Sequence, residues 1–290
     1  MLSGLFVPQF TAFNQDNSVD YKATWEHGQW LIENNVSGLV PFGTFGEGAS
    51  LSLREKERIT LDLLEIKKDK SLIPTLICNS LGEVEEFLSF AQDLPLEGIM
   101  VIPPSYFKNV SDQSLKDFYQ RVTDQSSHQI IAYNIPACSL PISAEITSSV
   151  PVWGVKDSSG NIESAKRYLN HDVKVLIGSD ALLTQALEIG ASGGICGIAN
   201  FFPQQMKQVY DDWNLGKKSE ADALLNSLMA IVAPLLGSVS GFGEAIGTLK
   251  TFAKSVIPTD LGDMRLPVET LKPSLSDVNE SIRLLKEVIK

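Results

Sequence analysis

Short apolar runs of strand length alternate with longer amphipathic stretches from the N-terminus to about residue 216, and this alternation restricts the chain to folds built from βα units around a parallel sheet. The runs fall at residues 4–10, 38–42, 73–78, 98–102, 129–133, 152–156, 173–177 and 193–198, which makes eight strands. The segments at 20–34, 52–68, 82–92, 111–125, 161–169 and 181–189 repeat apolar residues at helical spacing and often follow an Asp, Ser or Asn that can cap a helix. The segment after the fifth strand, from Ser143, is short. Eight strands joined by right-handed crossovers close most simply into a (β/α)8 barrel of the TIM type. An open doubly wound sheet would carry a glycine-rich dinucleotide fingerprint after its first strand, and here that strand ends in Pro8-Gln9-Phe10-Thr11. Gly241-Phe242-Gly243-Glu244 has the glycines of such a loop but no strand in front of it, so it reads as a turn between helices. The expected organisation is a barrel over residues 1–216 and a C-terminal helical extension over 217–290.

The charge and cysteine content narrow the setting. A net charge of -11 without any block of lysine or arginine argues against nucleic acid as a partner. Cys78, Cys138 and Cys196 are isolated and odd in number, which suggests neither a disulfide framework nor a zinc site and fits a reducing cytoplasm. Met1-Leu2-Ser3-Gly4-Leu5 shows no basic leader before a long apolar region, so no secretory signal is expected. The longest apolar stretch, residues 229–239, is interrupted by Pro234 and Gly237 and is too short for a bilayer, so no membrane is expected either. His27, His128 and His171 belong to no ligand motif and read as packing or surface residues, and no metal site is expected.

Lys156 ends the apolar run Val152-Trp153-Gly154-Val155 and is followed by Asp157-Ser158-Ser159-Gly160. One reading is a lysine that snorkels to solvent at a strand end. The other is a desolvated amine serving as a nucleophile toward carbonyl compounds. In a (β/α)8 barrel the residues at the carboxyl ends of the strands meet at one mouth. Strand two ends in Gly43-Thr44-Phe45-Gly46-Glu47-Gly48, strand four in Pro103-Pro104-Ser105-Tyr106, strand five in Tyr133-Asn134-Ile135-Pro136, strand seven in Gly178-Ser179-Asp180 and strand eight in Gly197-Ile198-Ala199-Asn200. Singly, each has an ordinary structural explanation. Pooled with Lys156 they supply an amine, a phenol for proton transfer and an N–H-rich cradle for an anion.

In this combination the chain resembles the family of dihydrodipicolinate synthase, N-acetylneuraminate lyase and 2-keto-3-deoxy sugar acid aldolases. The marks are Gly43-Thr44-Phe45-Gly46-Glu47, Tyr133-Asn134-Ile135-Pro136 and Gly154-Val155-Lys156-Asp157-Ser158, in the family's order. The resemblance implies that Lys156 forms a Schiff base with pyruvate or a 2-keto acid and that no other cofactor is needed. It implies that Tyr133 shuttles protons and that Thr44 ties Tyr133 to the carboxylate site. Gly43, Phe45, Ser158, Gly178, Asp180 and Ile195 would line the substrate site. Tyr106 would reach into a neighbouring subunit's site, within a homotetramer built as a dimer of dimers.

The departures from the family's pattern bear on substrate. Phe45 stands where most members carry a second hydroxyl, which keeps the backbone N–H and removes one side-chain hydrogen bond, a difference of roughly 1–2 kcal/mol. Similar loops occur in the aldolases that cleave benzylidenepyruvates, but that subgroup is a poor match elsewhere, since Tyr133-Asn134-Ile135-Pro136 and Gly154-Val155-Lys156-Asp157-Ser158 keep the form of the sugar acid enzymes. Dihydrodipicolinate synthases place an arginine where this chain has Cys138, so recognition of the carboxylate of the aldehyde partner is lost. The acidic residue and serine that neuraminate lyases direct at a sugar tail are Ala181 and Ile198 here. The resemblance therefore implies a pyruvate aldolase acting on a small aldehyde or a 2-keto acid such as a 2-keto-3-deoxy sugar acid. The alternatives are a 4-hydroxy-tetrahydrodipicolinate synthase and a non-catalytic 2-keto acid binding protein.

Overall fold

The computed structural model describes residues 2–237, 239, 241–270 and 272–288. Met1, Ser238, Ser240, Leu271, Ile289 and Lys290, which fall within the regions assigned above to barrel and tail, lie outside the described residues. Eight parallel strands form the centre: β1 Gly4–Val7, β2 Gly38–Leu39, β3 in two pieces at Ser71–Leu72 and Thr75–Leu76, β4 Ile99–Val101, β5 Ile130–Asn134, β6 Gly154–Asp157, β7 Lys174–Ile177 and β8 Gly193–Ile195. Each of the eight expected runs holds a strand, most of them shorter than the apolar stretch, with β5 and β6 reaching one residue further, to Asn134 and Asp157. β2 stops at Leu39 because the chain turns at once, with Phe42 in the left-handed region at φ 64°. β3 is split because Pro74 has no N–H for the ladder, although its carbonyl accepts from Met100 N at 2.9 Å.

The ring is closed. Ile73 N donates to Leu39 O at 2.9 Å on one side of β3, and Ile102 N donates to Leu76 O at 3.1 Å on the other. At the seam β1 pairs with β8, Gly4 opposite Gly193 and Phe6 opposite Ile195. A Cβ on Gly193 would stand 2.0 Å from Gly4 O, so only glycine permits this approach.

Strand alternation divides the core in two. Phe6, Val40, Ile73, Met100, Ile131 and Leu176 point inward and fill the barrel. Leu5, Val7, Leu39, Leu72, Val101, Ala132, Val155 and Val175 point outward and join the helices in a second cluster. Those helices are α1 Tyr21–Glu33, α2 Leu53–Leu64, α3 Leu81–Ala91, α4 Asp112–Gln125, α5 Ala144–Ser148, α6 Ile162–Asn170, α7 Leu183–Glu188 and α8 Pro203–Asn214. Asp20, Ser111 and Asn161 cap α1, α4 and α6 through side-chain oxygens, as their positions suggested, and Ser52 with Glu55 forms a capping box on α2.

Three further helices follow: α9 Lys218–Leu236, α10 Phe242–Ala253 and α11 Leu275–Val288. The 19-residue α9 is long and apolar enough by composition to cross a membrane, yet Leu225, Leu228, Ile231, Val232 and Leu235 are buried within the protein core. Phe252 of α10 is buried edge-on against Phe201 at 5.6 Å. Lys250 and Glu47, with side chains only 1% and 3% exposed, pair at 2.8 Å, and Lys250 Nζ also donates to Asp263 O at 3.1 Å. Burial pushes the Lys250 ammonium below its usual value and the Glu47 carboxylate opposes that shift. The second Glu47 oxygen accepts from Arg265 N at 2.8 Å, and the Arg265 guanidinium grips Glu55 with two bonds of 2.8 and 3.0 Å. Helix α10 and the connection that follows it thus clamp the loop after β2.

Removing one partner of a buried pair strands the other charge, which costs about 3–5 kcal/mol. Lys250→Met is expected to lower the free energy of unfolding by that amount in chemical denaturation. The double variant Lys250→Met/Glu47→Gln should regain most of it, because the orphaned carboxylate is gone. Equal losses in the two variants would contradict this account of the clamp.

Candidate active site

The register of the barrel puts the reactive groups side by side. β5 and β6 pair in parallel with Tyr133 opposite Lys156 and Asn134 opposite Asp157. Alternation sends Tyr133 and Lys156 inward, where they are 2% and 4% exposed. The Lys156 amine lies 4.3 Å from the centre of the Tyr133 ring, and among the described residues it makes no ion pair. Room for the lysine stem comes from Gly178: a Cβ there would stand 2.0 Å from Ser158 Oγ and 3.1 Å from Lys156 Cε.

The loop after β2 completes the arrangement. Thr44 Oγ1 is 3.0 Å from the Tyr133 hydroxyl. Gly48 N donates to Gly43 O at 3.1 Å and Glu47 N to Thr44 O at 3.2 Å, which folds the loop on itself. The N–H groups of Thr44 and Phe45 donate to no partner among the described residues, so two unspent donors sit beside the Thr44 hydroxyl, the kind of concavity that receives a carboxylate. The Phe45 ring turns over Gly197, where a Cβ would come within 2.3 Å of it, and toward Phe10 at 5.6 Å.

These groups line one cavity of about 270 Å³, to which Thr44, Phe45, Tyr133, Lys156, Ser158, Gly178, Asp180 and Ile195 all contribute. Gly43 is not among the residues that line it, and a Cβ there would meet the Thr75 hydroxyl at 3.8 Å. Tyr106 lies outside the cavity of its own chain. It is 78% exposed with its ring against that of Phe107, also exposed, and its N–H and that of Ser105 are held by Asn79 Oδ1, both at 2.9 Å. Asp180 is half-buried at the cavity wall and accepts from Ile198 N at 3.1 Å. Burial pushes its carboxyl up to about 6, against the opposing effects of that N–H and of the Lys156 charge.

Two residues quoted in the motifs above carry a role that pattern reading did not assign. Asn134 Nδ2 donates to Asp157 Oδ1 at 2.8 Å, and Asp157 also accepts from Ser159 N and Oγ at 3.1 and 3.0 Å. Asn134 Oδ1 in turn accepts from Ile142 N at 3.1 Å. Each directly follows a site residue and points to the opposite face, so the pair fixes the ends of β5 and β6 from behind. The available signal was their adjacency to Tyr133 and Lys156. His27 is fully buried, close to Asn200 O at 3.0 Å, and burial pushes it down to about 4, in keeping with a packing role. Among the described residues no group of three or more His, Cys, Asp or Glu side chains is placed to hold a metal ion.

Because Asp180 is raised from 3.8 to about 6 in the folded chain, ionising it works against folding. The penalty is absent below about pH 4, grows through the interval up to about pH 6 and is complete above it. Asp180→Asn keeps an oxygen for Ile198 N and removes the charge. Its melting temperature should exceed that of the native chain near pH 8, with the gain vanishing near pH 4; a gain independent of pH would contradict the assignment.

The chain matches the model of the dihydrodipicolinate synthetase family over residues 1–278. It is 27% identical over 284 residues to a 4-hydroxy-tetrahydrodipicolinate synthase from Methanococcus maripaludis, covering 94% of this chain and 96% of that one. Among solved structures, a variant of the 2-keto-3-deoxygluconate aldolase of Sulfolobus solfataricus in complex with L-2-keto, 3-deoxy-galactonate superposes with a TM-score of 0.88 at 22% identity, over 99% of this chain and 96% of that one. The prophage protein YagE from E. coli K12, in complex with pyruvate, gives 0.86 at 21% identity, over 100% and 99%. The two structures share the barrel and its helical tail, and the sequence match runs through both, so the chain belongs to the dihydrodipicolinate synthetase family, whose members are lyases and aldolases.

Proposed function

We propose that the protein is a class I aldolase that releases or adds pyruvate through an imine on Lys156. The observation that carries this reading is a buried amine that makes no ion pair among the described residues, 4.3 Å from the ring of a tyrosine whose hydroxyl is bonded to Thr44 at 3.0 Å, all in one cavity. A 2-keto-4-hydroxy acid enters with its carboxylate on the free N–H groups of Thr44 and Phe45. The Lys156 amine attacks the C2 carbonyl, and the carbinolamine loses water as Tyr133 passes a proton to the departing hydroxyl. With the iminium as electron sink, Tyr133 takes the proton of the C4 hydroxyl. The C3–C4 bond then breaks, its electron pair flows to the imine nitrogen and the aldehyde leaves. Protonation of the enamine at C3 and hydrolysis return pyruvate and the free amine.

The similarity to structures holding pyruvate and a keto-deoxy sugar acid supports this class of substrate. Sugar acids are its polar members, and adducts of aliphatic or aromatic aldehydes its apolar ones. The exposed Tyr106 and Phe107 pair supports assembly into a homotetramer, in which Tyr106 would serve the proton relay of a neighbouring subunit. Isolated thiols fit a cytoplasmic setting. A second reading, 4-hydroxy-tetrahydrodipicolinate synthase, is favoured by the Methanococcus relative. Against it stands Cys138, an exposed thiol where a guanidinium would be needed for aspartate semialdehyde.

Pyruvate release from 2-keto-4-hydroxy acids, followed with a coupled dehydrogenase, tests the reading. Lys156→Ala should fall to background. Tyr133→Phe should lose about 100- to 10,000-fold in kcat, the usual worth of a positioned acid–base group. Full activity in Lys156→Ala would refute the mechanism, and faster pyruvate-dependent turnover of aspartate semialdehyde than of any other aldehyde would select the second reading.

A further inference from the structure

The two halves of a substrate held on Lys156 meet different walls. Every polar side chain that lines the cavity among the described residues, Thr44, Tyr133, Lys156, Ser158, Ser179 and Asp180, stands on a strand end or the turn after it. Thr44 and Tyr133 are bonded to each other, and Asp180 is bonded to Ile198 N. The hydroxyls of Ser158 and Ser179 have no partner within the chain among the described residues, which leaves them available to an oxygen close to the reacting carbons.

The face that α9 and α10 contribute is apolar throughout: Met229, Leu236, Phe242, Ala245, Ile246 and Leu249. No arginine and no lysine other than Lys156 lines the cavity among the described residues. Lys250, next in sequence to Leu249, is committed to Glu47 and Asp263 O. Against such a wall each hydroxyl of a sugar tail would give up water and regain nothing, a loss of roughly 10-fold in binding per group. A phosphate would meet no cation. The volume of about 270 Å³ lies at the lower edge of the range for ligand sites, so the tail is also short.

We propose that the carbonyl partner is a small apolar aldehyde, aliphatic or aromatic, so that the enzyme makes and breaks 2-keto-4-hydroxy acids bearing a hydrocarbon group at C4. This rests on the aldolase reading. Ser158 and Ser179 serve the C4 oxygen, while the α9 and α10 wall receives the hydrocarbon.

The test compares kcat/KM for addition of pyruvate to butanal, benzaldehyde, glyceraldehyde and glyceraldehyde 3-phosphate. Exchange of the pyruvate methyl protons with D2O is followed on the same preparation, since it needs the imine and enamine but no aldehyde. The apolar aldehydes should exceed glyceraldehyde by roughly 10- to 100-fold, with no measurable addition to the phosphate. Ile246→Asn should narrow the gap about 10-fold, and Ala245→Ser, a milder change, should narrow it less. Exchange accompanied by a preference for glyceraldehyde or its phosphate, or by no turnover of either apolar aldehyde, overturns this inference alone. Absence of exchange overturns the aldolase reading beneath it as well.

Discussion

The structure turns on keeping an amine and a phenol next to each other inside a closed parallel barrel. A barrel interior is otherwise hydrocarbon, and here Phe6, Val40, Ile73, Met100, Ile131 and Leu176 fill it below the site. Polar side chains are tolerated in its last layer because that layer opens onto a cavity. Parallel pairing sets Tyr133 opposite Lys156 without any choice of loop conformation, and a slip of one residue in β6 would turn the lysine out among the helices. Gly178 on the next strand leaves space for the stem, and Asn134 with Asp157 locks the same two strands from the outer face. The reactive pair is therefore held by strands, which are more rigid than loops.

Helices α9 and α10 are part of this arrangement rather than an appendage to it. Lys250 and Arg265 fasten the loop that carries Thr44 and Phe45, through Glu47 and Glu55. The same helices supply the hydrocarbon wall of the cavity. The same part of the chain thus holds the Thr44 loop in place and forms an apolar face of the cavity. A change in α10 that alters substrate preference is placed to disturb the Thr44 loop too, since Leu249 and Lys250 are adjacent.

Much of the barrel was legible because each strand is an apolar run bounded by turn residues and several helices carry their own cap, as Asp20, Ser52, Ser111 and Asn161 show. What was not legible has physical reasons. Phe42 and Glu47 adopt left-handed backbone angles that their residue types do not announce, so β2 read as longer than it is. The pairing of Glu47 with Lys250 spans 203 positions and leaves no local pattern. The gathering of Thr44, Tyr133, Lys156, Ser158 and Asp180 followed from one rule, that strand ends of a barrel share a mouth. That rule says nothing about Met229, Phe242 or Leu249, which come from beyond the barrel, and the apolar face they form appears only in three dimensions. Tyr106 stands on the surface of a single chain, and its expected place in a neighbour's site belongs to the assembly.

The most direct measurement is intact-protein mass spectrometry after incubation with pyruvate and borohydride, run on the native chain and on Lys156→Ala. The native chain is expected to gain the mass of one reduced pyruvyl unit, mapping to Lys156 in a peptide digest, and the variant to gain none. A native chain that stays unmodified, or an adduct that persists in Lys156→Ala, would contradict the assignment of Lys156 as the imine-forming residue.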